Sequence, residues 1–180
     1  MQPGSHGGGF FDNEEELIAA VEREIGPEAA EATRRSLRLA SNPRPLTDAE
    51  RAELRANLEP VLRDMHSSGA IVPDIREEAH DDLGPDCVCA WIQSPGGADS
   101  QGIRVQASLP APERLADLAD QLQEWEIEEL AAAGRPATWP ECPQHPGTHP
   151  LAAQARSDQA TWCCPTSGQV ISIIGALRPH

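Results

Sequence analysis

The C-terminal part of the sequence concentrates cysteine and histidine residues at spacings that suit metal binding. Cys142 and His145 lie three positions apart in the segment CPQH, and His149 follows four positions later. Cys163 and Cys164 are adjacent in the segment TWCCPTSG. Two donors three residues apart on a tight turn can direct both side chains at one ion, and nitrogen with sulfur donors suits Zn²⁺. The spacing therefore predicts a metal site in this part of the chain.

The two Cys-containing segments echo each other, because each reads Thr-Trp, then Cys-Pro, then a polar residue three positions after the Cys. Between His145 and Cys164 lie 18 residues, which is within the usual separation of paired metal-binding turns. The C-terminal quarter of the chain resembles a zinc ribbon, whose knuckles read CPxC followed by Gly. The resemblance implies two Cys-containing turns, one of them on a β-hairpin, around a structural tetrahedral ion.

Carried over by position, the resemblance implies two ligands from CPQH, then Cys164, and then Ser167 at the fourth place. Serine is a poor zinc ligand, so the sequence departs from the pattern there. His149 is the first replacement, and Cys163 is the other candidate. A metal-free fold, with the cysteines as small buried side chains, is the alternative. The predicted ligands of a structural Zn²⁺ are Cys142, His145, His149 and Cys164.

Three functions suit such a site. We favour a non-enzymatic accessory protein that acts through protein-protein contacts. The first alternative is a metal-dependent hydrolase with an open zinc site near Glu141, and the second is a thiol redox switch at Cys163 or Cys164. The chain lacks Walker, dinucleotide and nucleophile-elbow motifs, and it lacks the H-x-E and P-C-x-x-C pair of cytidine deaminases.

Charge and composition make some classes of partner unfavourable and indicate the cellular compartment. The formal net charge is -15, and every basic residue is Arg, so a phosphate backbone and an anionic membrane surface are unfavourable partners. The N-terminal segment MQPGSHGGGFF lacks the pattern of a secretory signal. We therefore expect a soluble cytoplasmic protein, in which clustered cysteines indicate metal binding or reactivity rather than disulfides.

An α+β fold is predicted to position the site. The first elements are a disordered arm over 1–11 and three helices over 12–67, with a break at Gly26–Pro27. Ile25 belongs to the predicted apolar face of the first helix, and Thr47 with Glu50 forms a capping box for the third.

The region 68–134 is predicted to hold a hairpin and a long helix. The acidic stretch 77–82 reads as a solvated loop or short helix, with a divalent-ion site around His80 as the alternative. Strands are predicted over 87–93 and 102–109, followed by a helix that ends at Gly134. The glutamates near the end of that helix read as a solvated face; they are Glu124, Glu126, Glu128 and Glu129.

The region 135–180 is predicted to form a small zinc-ribbon-like module. Residues 160–164 and 170–174 make a hairpin around the turn 165–168, with Trp139 and Trp162 packed nearby. Leu, Ile, Val and Phe number only 33 of the 180 residues, so the core is thin. We therefore expect the ion to contribute folding free energy to the module.

Overall fold

The computed structural model describes residues 14–41, 44–79, 87–97 and 100–178. Residue contacts divide the chain into two compact units, 1–43 and 44–180. Within the described ranges the elements are α1 (Glu14–Glu24), α2 (Pro27–Ser41), β1 (Arg44–Pro45), α3 (Asp48–Ser68), β2 (Asp74–Arg76), β3 (Glu78–Ala79), β4 (Cys87–Gln93), β5 (Ser100–Gln106), α4 (Ala111–Ala132), β6 (Ala152–Arg156), β7 (Gln159–Cys163) and β8 (Val170–Ile173).

These elements form two three-stranded antiparallel sheets, in the orders β2-β4-β5 and β6-β7-β8, and a short β1-β3 ladder. The predicted α+β class is therefore confirmed. The predicted arm over 1–11 and His80 lie outside the described residues, and the division of the chain at 67 and 134 stays a prediction. None of the helices in the described ranges is long and apolar enough to cross a membrane.

The first unit contains α1 and α2, and the predicted break between them is confirmed. Gly26 has a φ of +118°, which favours glycine, and Pro27 is the first residue of α2. Ile18 is buried, whereas Ile25 is 73% exposed. The prediction for Ile25 was wrong because the residue follows the last turn of α1 rather than lying on its face.

Helix α3, the first helix of the second unit, starts with the predicted capping box. The Glu50 backbone N–H donates to Thr47 Oγ1, and the Glu50 carboxylate accepts from the Thr47 N–H at 2.7 Å. This satisfies two of the N–H groups that a helix start leaves free. Gly69 ends the helix in the left-handed region.

The predicted hairpin is confirmed as β4 and β5, although β5 begins two residues earlier than expected. The acidic stretch before it is not simply a loop or helix. Strand β2 just precedes it and pairs Ile75 with Ile92, and β3 lies within it. The Glu77 carboxylate accepts two hydrogen bonds from Arg55, at 2.7 and 3.0 Å. In this unit Glu77 is therefore engaged by arginine rather than held free for an ion.

Helix α4 buries Leu118, Leu122 and Trp125, and Gly134 follows it with a φ of +67°. The prediction that its glutamates form a solvated face was wrong for Glu126, which is fully buried. Glu126 lies one helical turn after Leu122, so the helix period places it on the apolar side. Glu124 and Glu128 are exposed as expected.

The β6-β7-β8 sheet, here called the C-terminal sheet, contains the predicted hairpin as β7 and β8. Strand β6 was not predicted, and it pairs along the other side of β7. Ile174 is buried, whereas Val170 and Ile173 are 42% and 45% exposed on the edge strand β8. One hydrophobic core joins this sheet to α3, α4 and β4-β5.

Two carboxylates are fully buried in that core, and they differ in how well they are satisfied. Asp64 accepts hydrogen bonds from Trp162 Nε1, Gly175 N and Leu177 N at 2.7 to 2.8 Å. Glu126 accepts one bond through Oε1, from Ile71 N at 2.9 Å, and its Oε2 has no partner among the described residues. Burial raises the pKa of Glu126 to about 7, against weaker lowering by the Ile71 N–H and Arg135.

The pKa of Glu126 predicts a pH-dependent stability. The folded protein holds this proton more tightly than the unfolded chain, whose value is 4.5. The wild type should therefore lose stability relative to Glu126→Gln as pH rises from about 4.5 to about 7, by about 1 to 3 kcal/mol. Urea unfolding of both proteins at pH 5 and pH 8 measures this, with the exposed Glu128→Gln as control. An equal difference at both pH values would contradict it.

Candidate metal centre

The first site turn is built on the segment that follows the cis Trp139–Pro140 bond. The His145 N–H donates to the Cys142 carbonyl at 3.0 Å, which closes a tight turn over CPQH. Glu141 braces this turn from outside, because its carboxylate accepts a hydrogen bond from the Gly147 N–H at 2.7 Å. Glu141 is exposed, and its observed contact is structural.

The second site turn joins β7 to β8. The Gly168 N–H donates to the Cys164 carbonyl at 2.8 Å, and the Cys164 N–H donates to the Gln169 carbonyl at 2.9 Å. Gly168 has a φ of +69°, a conformation that glycine adopts without strain. The turn directs the Cys164 side chain toward the first turn, and its Sγ accepts from the Ser167 N–H at 3.4 Å.

The two turns bring together the four residues of the predicted set, here called the donor cluster. One ligand atom from each of Cys142, His145, His149 and Cys164 lies within 4.8 Å of the other three. His145 Nδ1 lies 3.6 Å from Cys142 Sγ and 3.5 Å from Cys164 Sγ. Both cysteines are buried and both histidines are half-buried. The cluster could hold a metal ion, and the role of each residue as a ligand stays a prediction.

His149 is oriented by a backbone carbonyl. Its Nδ1 lies 2.8 Å from the Pro150 oxygen, which can only accept, so Nδ1 carries the proton. Nε2 then has the free lone pair, which is the form of imidazole that binds a metal. Thr166 Oγ1 lies 3.3 Å from this Nε2. The His149 ring also lies against that of His145, with centroids 4.9 Å apart.

Ser167, the residue at the fourth position of the predicted pattern, forms a hydrogen bond to a side chain outside the cluster. Its Oγ donates to Gln144 Oε1 at 2.9 Å, and Gln144 Nε2 donates to Gln169 Oε1 at 2.6 Å. These bonds join the two turns directly across the cluster. Ser167, at a position where the CPxC pattern has a metal ligand, therefore helps to join the two turns.

The cluster is attached to the helices by buried polar contacts. Gln123 of α4 donates to the carbonyls of Trp139 and Leu151, on either side of the first turn. Trp139 Nε1 donates to Ser68 Oγ at 2.8 Å, and the Trp139 and Trp162 rings meet edge to face at 5.6 Å. These bonds place the first turn on a rigid support.

The surroundings of the Cys164 thiol lower its pKa. Burial raises its pKa, but the Ser167 side chain, the backbone of Ser167 and Thr166, and Cys142 together lower it to about 6. A thiolate at neutral pH is the form that binds metals.

The other cysteines lie apart from the cluster. Cys163 Sγ lies 3.4 Å from Thr161 Oγ1, because residues two apart on a strand share a face. The adjacent Cys164 points the other way. The structure thus brings Cys164 rather than Cys163 to the cluster. Cys87 and Cys89 share one face of β4, with their sulfurs 3.7 Å apart, as the strand period predicts.

The residues that support the site were not predicted from the sequence. Gln123 and Asp64 are polar residues beside buried apolar ones on α4 and α3, and that placement was the available signal. A polar residue on an apolar helix face is buried only if it finds partners. Those partners come from segments distant in sequence.

Comparisons with protein-family models, with curated proteins and with solved structures find no significant match for this chain. By its geometry, the site is a Cys₂His₂ cluster that could hold a metal ion.

Proposed function

We propose that the chain is a non-enzymatic accessory protein whose donor cluster binds a structural Zn²⁺. The ion fixes the C-terminal sheet in the shape that contacts a partner protein. The donor cluster carries this proposal, because two short turns place two thiols and two imidazoles around one point.

Distances within the cluster support zinc. With Zn–S near 2.3 Å and Zn–N near 2.05 Å, the sulfur-nitrogen edge of a tetrahedron is about 3.5 Å. The two sulfur-nitrogen distances at His145 are 3.6 and 3.5 Å. Four protein donors make a closed site, which is typical of structural rather than catalytic zinc. The bond from Gly147 to Glu141 also supports a structural role, because it uses one oxygen of this carboxylate to hold the first turn.

The edge of the C-terminal sheet supports the protein contact. Val170 and Ile173 are the large apolar side chains that remain exposed on β8. An edge strand offers unpaired backbone groups to a partner strand, and exposed apolar residues on it mark a contact site. The second site turn leads directly into β8, so an ion at the cluster would fix this edge.

Metal analysis of the purified full-length protein tests the zinc site. We expect about one equivalent of zinc, with Cys142→Ser and Cys164→Ser each retaining much less. Ser167→Ala, at the bridging position, should retain the ion. Zinc below about half an equivalent in the folded wild type would overturn the proposal.

The zinc-loaded chain used as bait also tests the partner contact. The Ile173→Asp variant should no longer capture a protein that the wild type captures. The Ala155→Asp variant should still capture it; Ala155 is exposed on β6. Equal capture by both variants would place the contact elsewhere.

A further inference from the structure

Cys87 and Cys89 form a second pair of thiols, on a different sheet from the donor cluster. Both belong to β4 and share one face of it, with their sulfurs 3.7 Å apart. Val88, Ala90 and Ile92 point to the other face and belong to the hydrophobic core of the described residues, whereas neither cysteine is a member of that core. The two thiols therefore lie outside the apolar packing that β4 supplies to the fold.

The two thiols differ in their access to solvent. Cys87 is half-buried and is the first residue of β4, whereas Cys89 is only 4% exposed. A disulfide in solution therefore meets Cys87 first, since exchange requires direct attack by a thiolate on a disulfide sulfur. Cys89 lies in contact behind it, where a resolving thiol is needed. The half-buried position of Cys87 favours a small disulfide over one within a protein.

The end of the β4-β5 hairpin allows the pair to close. Residues two apart on a strand have Cα atoms about 6.4 to 6.8 Å apart, at the upper end of the range for disulfides. Cys87 pairs with Gln106, and these residues end the ladder between β4 and β5. A small shift of Cys87 can therefore join the two sulfurs with the loss of one pair of the ladder. A disulfide at this limit is easily reduced, so its formation is reversible.

We propose that Cys87 and Cys89 form a thiol–disulfide exchange site for a low-molecular-weight disulfide of the glutathione type. The Cys87 thiolate, whose proton has gone to water, attacks one sulfur of glutathione disulfide. One glutathione thiolate leaves and takes up a proton from water, and the other glutathione stays on Cys87 as a mixed disulfide. The Cys89 thiol then attacks Cys87 Sγ, and its proton goes to the second glutathione thiolate as that leaves. Two protein thiols are oxidised to a disulfide, and one glutathione disulfide is reduced to two glutathione molecules.

Trypsin separates this pair from the other cysteines. The segment 77–104 lies between two cleavage sites, at Arg76 and Arg104, and contains Cys87 and Cys89 alone among the five cysteines. The full-length protein is held in about 5 mM glutathione disulfide, treated with N-ethylmaleimide to block remaining thiols, and digested for mass spectrometry. We expect most of this peptide to carry an internal disulfide, two hydrogen atoms lighter than the dithiol form and without maleimide. Addition of about 10 mM glutathione before the block should restore the dithiol form.

Two variants assign the roles of the thiols. Cys89→Ser should stop at a glutathione adduct on Cys87, because no second thiol resolves it. Cys87→Ser should react about tenfold more slowly or worse, because Cys89 is buried. Cys163→Ser, the control, should form the internal disulfide as the wild type does.

The wild-type peptide alone can overturn the proposal, whatever the stability of the variants. It does so if both thiols remain after the oxidation, or if the disulfide links two chains instead of Cys87 to Cys89. The proposal also fails if Cys89→Ser carries no adduct, or if Cys87→Ser reacts as fast as the wild type.

Discussion

Removal of zinc from the loaded protein should lower the midpoint of thermal unfolding by roughly 6 to 20 °C. A structural zinc contributes up to roughly 10 to 16 kcal/mol where it supports a whole small domain. Here the C-terminal sheet also packs on the helical core, so we expect a smaller loss of about 3 to 5 kcal/mol. For a chain of this length, each kcal/mol shifts the midpoint by about 2 to 4 °C.

The loss should be local. Without an ion, the two buried thiols of the donor cluster face each other and His145 with few other partners. The turns then depend on the Gln144–Ser167 bridge and on backbone bonds. Hydrogen exchange after chelation should therefore accelerate over 141–150 and 163–169. Amides of β4 and β5 should change little, because their pairing does not involve the cluster.

Two adjacent cysteines give a matched comparison for this prediction. Cys163 and Cys164 are both buried, but only Cys164 belongs to the donor cluster. Cys164→Ser should unfold at the same temperature with and without chelator, whereas Cys163→Ser should keep the chelator effect of the wild type. If Cys163→Ser loses that effect instead, the predicted ligand set is wrong. If the wild type shows no chelator effect, the ion has no structural role.

Local signals predicted the elements of the fold well. The capping box at Thr47, the break at Gly26 and the stop at Gly134 each depend on a few neighbouring residues. The strand-like run CVCAWIQ likewise identified β4. Strand β6 was missed because a stretch such as AAQAR carries little strand preference, although it forms a tight hairpin with β7. The short β1 to β3 were missed because their pairing is set by segments distant in sequence.

The donor cluster could be predicted because three of its donors lie within eight residues of sequence, and the Cys-Pro segment at Cys164 repeats the one at Cys142. The residues that support the cluster could not be predicted, because they lie on other helices and strands of the chain. Ser167 departs from the knuckle pattern, and its role in joining the two turns is visible only from its contact with Gln144. The prediction for Glu126 was wrong because a run of glutamates indicates a solvent-exposed face. The helix period instead places Glu126 on the buried side of α4.

Asp64→Ala should destabilise the protein by about 3 to 5 kcal/mol. The Asp64 carboxylate accepts from the Trp162 indole, the Gly175 N–H and the Leu177 N–H, and it is fully buried. Alanine would leave three donors without a partner in a site that water does not reach. Asp64→Asn should cost less, because its carbonyl oxygen still accepts, although its NH₂ group would face another donor.

Urea unfolding at pH 7 measures these effects, with Asp74→Ala as the control because Asp74 is exposed on β2. That control should change the free energy of unfolding by about 0.5 kcal/mol or less. Asp64 links α3 to β7 and to the chain after β8, so its loss should also separate the C-terminal sheet from the helices. Zinc binding should then persist in Asp64→Ala, since its turns are closed by their own bonds, while the Trp162 fluorescence reports a more polar environment. A stability like that of the control would show that the three bonds contribute little.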